Sequence, residues 1–324
     1  MKVFILTFLF LVTCSFAFGQ DYKSIVAEAD GYYESKEFGK SVSKYKAAFK
    51  IEQTKYADLY DAACSAALSG DEVLAFKWLN LALKNGFTNM KHLQTDEDLT
   101  TLRGSKKWEK LLVAMQKELD KKEANYDKPL RAELLAVLEA DQAIRKKFIA
   151  AQKEFGYESK QVKALGESML RQDSANLIKV TGILDRHGWI GPDKVGEDAS
   201  IALFLVIQHS GLAVQQKYLP MLRDAVKSGK AQASHLAALE DRVALREGRK
   251  QVYGSQIHGH GSQKYYIAPL EDPDNVDKRR AEVGLGLLTD YVKRWDIVWN
   301  VAEYKKQLPE IEAKEKERMS ESQK

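Results

Sequence analysis

The sequence predicts a mainly α fold: a short helical repeat, followed by a larger α-helical domain that carries one small β-hairpin. Three observations point there. Residues 22–85 repeat themselves with an offset of 34. Beyond residue 125, apolar residues recur at three- and four-residue spacing over long stretches, which is the period of a helix. One segment, Lys250 to Leu270, replaces that rhythm with short β-type runs around a His/Gly-rich centre.

The chain starts with a cation, Lys2, an apolar run from Val3 to Val12, and small residues at Ala17 and Gly19. Basic start, short apolar centre and small residues form the three-part pattern of a secretory signal, expected over residues 1–19 with cleavage before Gln20 or after Ala17. Leu11-Val12-Thr13-Cys14 also has the outline of a lipoprotein box, which makes a lipid anchor on Cys14 the alternative. The expected location is periplasmic or extracellular, with an outer-membrane lipoprotein as the alternative. The apolar run is too short to cross a bilayer as a helix, and Ile201 to Ile207, the strongest later candidate, spans only one or two turns. No transmembrane segment is expected.

With the signal removed, Cys64 is the one cysteine left, so neither an internal disulfide nor a multi-cysteine metal site is expected. Its alanine neighbours Ala62, Ala63, Ala66 and Ala67 suit a small buried hydrophobe. The net charge is +4 in 324 residues, and from Asp21 to Ala124 basic and acidic residues balance at 17 each. That balance gives no footprint for nucleic acid.

In the repeat, Ala29 corresponds to Ala63, Ser41 to Ala75, Tyr45 to Leu79 and Ala48 to Ala82. Lys36-Glu37 corresponds to Gly70-Asp71 at the turn between helices. Small residues at matched positions let paired helices approach, while Tyr32, Phe38, Tyr45 and Phe49 fill the space between. Helices are predicted at about 22–35, 39–51, 56–69 and 71–85. The period and pattern resemble the tetratricopeptide repeat (TPR). The next stretch resembles a segment often appended to such repeats in exported bacterial proteins: Asn85-Gly86-Phe87, Asp96-Glu97-Asp98-Leu99, Leu102-Arg103 and Lys107-Trp108 to Leu112. A capping helix at about 105–124 completes a region expected over residues 20–124. Two units and a cap offer a small groove for another protein or peptide. Alternatively the repeat serves only to pack on the second domain.

Asp127-Lys128-Pro129 is a helix start signal, placing a boundary at about 125. Helices are predicted at about 129–153, 158–186, 197–211, 214–228, 233–248 and 275–299. Ile201 to Ile207 is apolar all round and marks a central buried helix. Strands are expected over 251–256 and 265–268. Gly284-Leu285-Gly286 reads as close helix packing inside the last helix. The domain is expected to end at 304, with 305–324 a charged tail of frayed helix or disorder.

Polar residues interrupt the apolar stripes. Asp141 and Arg145 stand where leucine fits the first helix, Asp173 and Asn176 share the apolar face of the second, and Arg280 shares the face of Val276, Val283 and Leu287. Asp241-Arg242 lies on a helix with apolar residues on two faces. A lone buried charge costs several kcal/mol, so such groups occur paired. An internal cluster setting Asp141, Asp173 and Asp241 against Arg145, Arg242 and Arg280 is therefore expected, as a structural network or as the lining of a polar pocket. His209 ends the most apolar helix, where the helix dipole favours an imidazolium. His258-Gly259-His260 has no acid at metal-ligand spacing, so no metal is expected. Nucleophile-elbow, zinc-protease and phosphate-loop motifs are absent, and no cofactor is expected.

Residues from about 130 to 300 resemble a bacterial family known only as a domain of unknown function. The resemblance rests on Asp141-Gln142-x-x-Arg145, Asn176, His187-Gly188-Trp189, Val195-Gly196, Gln208-His209, Asp241-Arg242, Gln251-x-Tyr253-Gly254-x-Gln256, Arg279-Arg280 and Gly284-Leu285. Ser255 and Ile190 depart from the family pattern, where Thr and Pro are usual. The resemblance implies a shared fold and pocket and no particular activity. Two functions fit these residues. One is a cell-envelope interaction protein with a polar pocket in its second domain. The other is a hydrolase-type enzyme with His209 and Asp241 in proton transfer, Arg242 and Gln256 holding substrate, and Gln251 and Tyr253 closing the site.

Overall fold

The computed structural model describes residues 22–259 and 264–321. The expected signal segment, Cys14 and His260 lie outside the described residues. The chain divides into two compact units, Met1–Ala124 and Asn125–Lys324. It is mainly α, with one small antiparallel sheet among the described residues. No helix among them is long and apolar enough to cross a membrane.

The first unit contains α1 (22–34), α2 (Phe38–Ala48), α3 (Tyr56–Leu68), α4 (Glu72–Lys84), α5 (Met90–Thr95), a 3-10 turn (Glu97–Leu102) and α6 (Lys106–Glu123). The 34-residue offset carries over into packing. Ala29 and Ala63, Ser41 and Ala75, Tyr45 and Leu79, Ala48 and Ala82 are all at most 2% exposed. The turns match too: Lys36 and Gly70 both take left-handed backbone, with φ 60° and 85°. Ser41 Oγ meets Ser65 Oγ at 2.9 Å, so the two buried hydroxyls satisfy each other. Asp71 caps α4 and Ser105 caps α6. Leu93, Leu99, Leu102, Trp108, Leu111 and Met115 from the appended segment complete the core of this unit.

The second unit opens with two 28-residue helices, α7 (Lys128–Phe155) and α8 (Lys160–His187), packed together as a hairpin. Asp127 and Ser159 cap them, and Gly156 and Gly188, both at positive φ, end them. Then come α9 (Pro192–Val195), α10 (Glu197–His209), α11 (Leu212–Lys227) and α12 (Ala233–Arg246). As its apolar sequence predicts, α10 is central, packing on α7, α8, α11 and α12. Its Ala202, Leu203 and Ile207 are fully buried. A Leu203→Ala truncation at such a position costs about 2–5 kcal/mol.

The rest differs from expectation in three places. Residues 251–256 form a loop, and the first strand comes later, as β1 (Ile257–His258), pairing with β2 (Tyr266–Ile267), which lies within the expected 265–268. The reason is Asp241, whose carboxylate claims the amides of that loop. The single helix expected over 275–299 is instead α13 (Val276–Glu282), α14 (Leu288–Val292) and a 3-10 turn (Lys293–Trp295). Gly284 has φ 75° and ends α13, with Leu285 N–H donating back to the Arg280 carbonyl. A Cβ on Gly284 would meet nothing within 4 Å, so backbone conformation and not close helix packing explains this glycine. Finally, the segment expected as a charged tail is helix α15 (Val301–Glu321). Its Tyr304 and Ile311 join Ile267, Leu270, Val276, Leu288 and Val292 in a core of their own.

Candidate functional site

The C-terminal end of α10 is the hub of the polar residues. His209 Nδ1 lies 3.0 Å from Asp141 Oδ1 on α7. Arg145, one turn further along α7, is 3.2 Å from the same oxygen and grips Asp173 of α8 with two bonds of 2.9 Å. Gln142 donates to the other Asp141 oxygen at 2.7 Å. Asp141 is 1% exposed. Burial alone would raise its carboxyl, but the donors from His209, Arg145 and Gln142 more than offset this and hold it below the usual carboxylate range. An ionised Asp141 requires the proton on Nδ1, which leaves Nε2 of a neutral His209 as a proton acceptor. The His209 side chain remains 21% exposed.

His209 and Asp141 open onto a cleft of about 190 Å³, together with Asp173, Asn176 and Ser210. Asn176 is 1% exposed. Its Oδ1 accepts from Gln172 at 3.0 Å, and its Nδ2 has no partner among the described residues. Turning both amides over only exchanges which end of Asn176 is orphaned. A buried amide group without a partner costs about 1–3 kcal/mol, which a ligand in the cleft would relieve.

Asp241 does not line this cleft and forms no ion pair with an arginine among the described residues. It is fully buried on α12 and accepts the backbone N–H of Val252 at 2.6 Å, Tyr253 at 3.0 Å and Ser255 at 2.9 Å. Burial raises its carboxyl, and the three amides pull it only part of the way back. This placement corrects the expectation that Asp241 transfers protons beside His209: its oxygens are taken up in folding the 251–256 loop. Gln251, 0% exposed, locks the same loop, donating to the Gln256 and Ala268 carbonyls and accepting the Gln256 N–H. Tyr253 contributes its backbone, and its hydroxyl has no hydrogen-bond partner among the described residues.

The expected ring of three acids and three arginines therefore divides. Asp141, Arg145 and Asp173 pair as anticipated. Arg242 and Arg280 bind neutral acceptors instead. Arg242 donates through Nε to Gln256 Oε1 and through Nη1 to the Gln208 carbonyl, both at 3.1 Å. Arg280, 1% exposed, donates to the carbonyls of Gly286 and Tyr253 and lies 4.9 Å over the Tyr291 ring. Tyr291 in turn donates to the Ser255 carbonyl at 2.8 Å. Sequence reasoning missed two further members. Arg246 donates to the Ser210 carbonyl and to Gln215, itself buried and donating to the Gln208 carbonyl. Arg242 and Arg246 thus satisfy the last carbonyls of α10, where cations are favoured.

A family model described as a family of unknown function, DUF6624, matches residues 128–320. The chain belongs to the DUF6624 family. The DUF6624 match takes in the Asp141–His209 cleft, the Asp241 loop and helix α15. No curated protein and no solved structure matches the chain.

Outside the cleft, two clusters stand out. On α15 of the DUF6624 unit, the buried Glu315 accepts from His258 Nδ1 at 2.6 Å, Tyr266 at 2.8 Å and Arg318. His258 thus has an acidic partner, one that sequence spacing hid 57 residues away. In the first unit, Cys64, Asp96 and Asp98 place one ligand-type atom each within 4.8 Å of one another. Tyr60 donates to Asp96 at 2.7 Å and Tyr33 to Asp98 at 2.6 Å, and burial with the nearby carboxylates pushes the Cys64 thiol up.

Proposed function

We propose that this chain is an exported cell-envelope protein in which a TPR-like interaction module is joined to a DUF6624 unit that binds a small polar ligand. The ligand seat is the cleft at the end of α10, and His209 is its proton-transfer group. One observation carries this: a histidine oriented by a buried carboxylate opens onto the same cleft as an orphaned, fully buried amide. In the hydrolase-type form of this reading, the partner of His209 is Asp141 and not Asp241. His209 Nε2 takes a proton from a bound hydroxyl or water, the imidazolium is stabilised by the Asp141 carboxylate, and the proton returns to the leaving atom.

Support for the interaction module comes from the matched burial across the 34-residue offset and from an acidic concentration on α1 and α3. Tyr22 donates to Asp58 and Tyr45 to Asp30. Asp61 is exposed, yet burial of its surroundings and the charges of Asp30, Asp58 and Asp96 push it up to about 6. A basic peptide segment is the partner chemistry that such a surface fits.

The test is a thermal-shift screen of polar metabolites against the full chain, followed by His209→Gln and Asn176→Ala on each hit. Ligands that stabilise the unaltered protein and lose that effect in both folded variants support the site. Hits that stabilise both variants equally, or a screen without hits, remove it.

A further inference from the structure

Arg242 is a half-buried arginine of the hub that pairs with no carboxylate. No acid lies within 4 Å of it among the described residues. Burial, together with repulsion from the guanidiniums of Arg246 and Arg145, pushes Arg242 down to about 10. Arg145 is already neutralised by Asp141 and Asp173. Taking a guanidinium out of water without a counter-charge costs several kcal/mol, unless the missing charge comes from outside.

The arginine is also held ready. Nε and Nη1 are spent on Gln256 Oε1 and the Gln208 carbonyl, while Nη2 has no partner among the described residues. Gln256 is itself fixed, donating to the Ala238 carbonyl at 3.3 Å and to Ser255 Oγ at 2.9 Å, inside the loop that Asp241 folds. A second, independent sign lies alongside. Gln208, 7% exposed, approaches the same Ala238 carbonyl, and its Oε1 is buried without a partner. Arg242, with its unspent Nη2, thus holds the backbone of Gln208, whose own amide oxygen is unspent and which directly precedes His209. A ligand carrying both a negative oxygen and an O–H or N–H satisfies the two at once.

We infer that Arg242, positioned by Gln256 and flanked by Gln208, anchors the oxyanion, carboxylate or phosphate, of the ligand that DUF6624 binds at the end of α10. This deepens the proposed ligand-binding function and rests on it only for where the rest of the ligand lies. A positioned guanidinium without a resident acid favours planar or tetrahedral oxyanions over neutral ligands. The role of Gln256 is positioning: it touches Arg242, not the ligand.

The experiment is a titration of the full chain with inorganic phosphate and, separately, with malonate, read by thermal shift at constant ionic strength near neutral pH. The unaltered protein is expected to be stabilised by one of the two at concentrations up to about 50 mM, and which one decides between phosphate and carboxylate. Arg242→Gln is expected to weaken that binding about ten- to a hundredfold. Arg223→Gln, which removes an exposed pair with Glu240, is expected to leave it unchanged. If Arg242→Gln does not fold, Arg242→Lys, which keeps the cation but loses the fork, is expected to weaken binding about tenfold. Equal binding by the Arg242 variants and the unaltered protein, or no binding of either probe, overturns the inference. Arg242-dependent binding that survives His209→Gln upholds it even where no library compound engages His209. Library compounds that need His209 but not Arg242 overturn it and leave the His209 site standing.

Discussion

Replacing Asp241 by asparagine tests whether this carboxylate is an architectural device. The side chain is fully buried, and its two oxygens accept three backbone amides at 2.6 to 3.0 Å, with a further contact from Tyr253 N at 3.2 Å. Asparagine keeps the shape but offers one oxygen and one NH2 group. At least one loop amide then loses its acceptor and faces a donor. Hydrogen bonds to a charged group contribute about 1.5–3 kcal/mol each. The loss is partly offset, because the carboxylate's own burial is unfavourable. The net local destabilisation is about 2–3 kcal/mol, which corresponds to a rise of about 30- to 160-fold in the opening of the 251–256 loop. Hydrogen–deuterium exchange of peptides covering that loop reads this directly, with α6 in the first unit as an internal reference. Exchange in the loop that stays within about twofold of the unaltered protein would refute the reasoning. Acceleration spread evenly over the whole DUF6624 unit would also refute it, since that outcome makes Asp241 a global core residue.

Two other expectations concern stability. Lys36 is in left-handed backbone where its repeat counterpart is Gly70, so Lys36→Gly is expected to stabilise the first unit by about 1 kcal/mol and Gly70→Ala to destabilise it by a similar amount. Urea unfolding followed by Trp78 and Trp108 checks both, and a Lys36→Gly protein less stable than the original contradicts the turn equivalence. Burial of Glu315 would raise its carboxyl, but the donors from His258, Arg318 and Tyr266 win and hold it at about 2, below its ordinary 4.5. A depressed carboxyl contributes stability above its unfolded value and loses it as pH falls towards the folded one. The contribution is about 3 kcal/mol at neutral pH and fades between about pH 4.5 and pH 2. Glu315→Gln should therefore lower the melting temperature clearly near pH 7 and much less near pH 3; a deficit that is the same at both pH values speaks against the assignment.

The sequence by itself determined what is local. The long helices follow from a 3.6-residue apolar period and from caps such as Asp127 and Ser159, which need only their own next turn. The 34-residue equivalence was visible down to the turn, because small residues at close-packed positions are specified by identity. Asp141, Arg145 and Asp173 were legible as a set, since an i, i+4 pair on one helix and an acid on the stripe of the next must meet when the two stripes pack. Tertiary structure alone decided the rest. Asp241 takes backbone amides, and Arg242 and Arg280 take backbone carbonyls, groups that every residue carries and no sequence pattern marks. Glu315 reads as one acid among many until α15 folds back to place it between His258 and Tyr266. The choice of Asp141 over Asp241 as the partner of His209 was likewise made by packing, where α7 and the end of α10 meet. Periodicity tells which side chains turn inward; which partner each one finds there depends on how the helices cross.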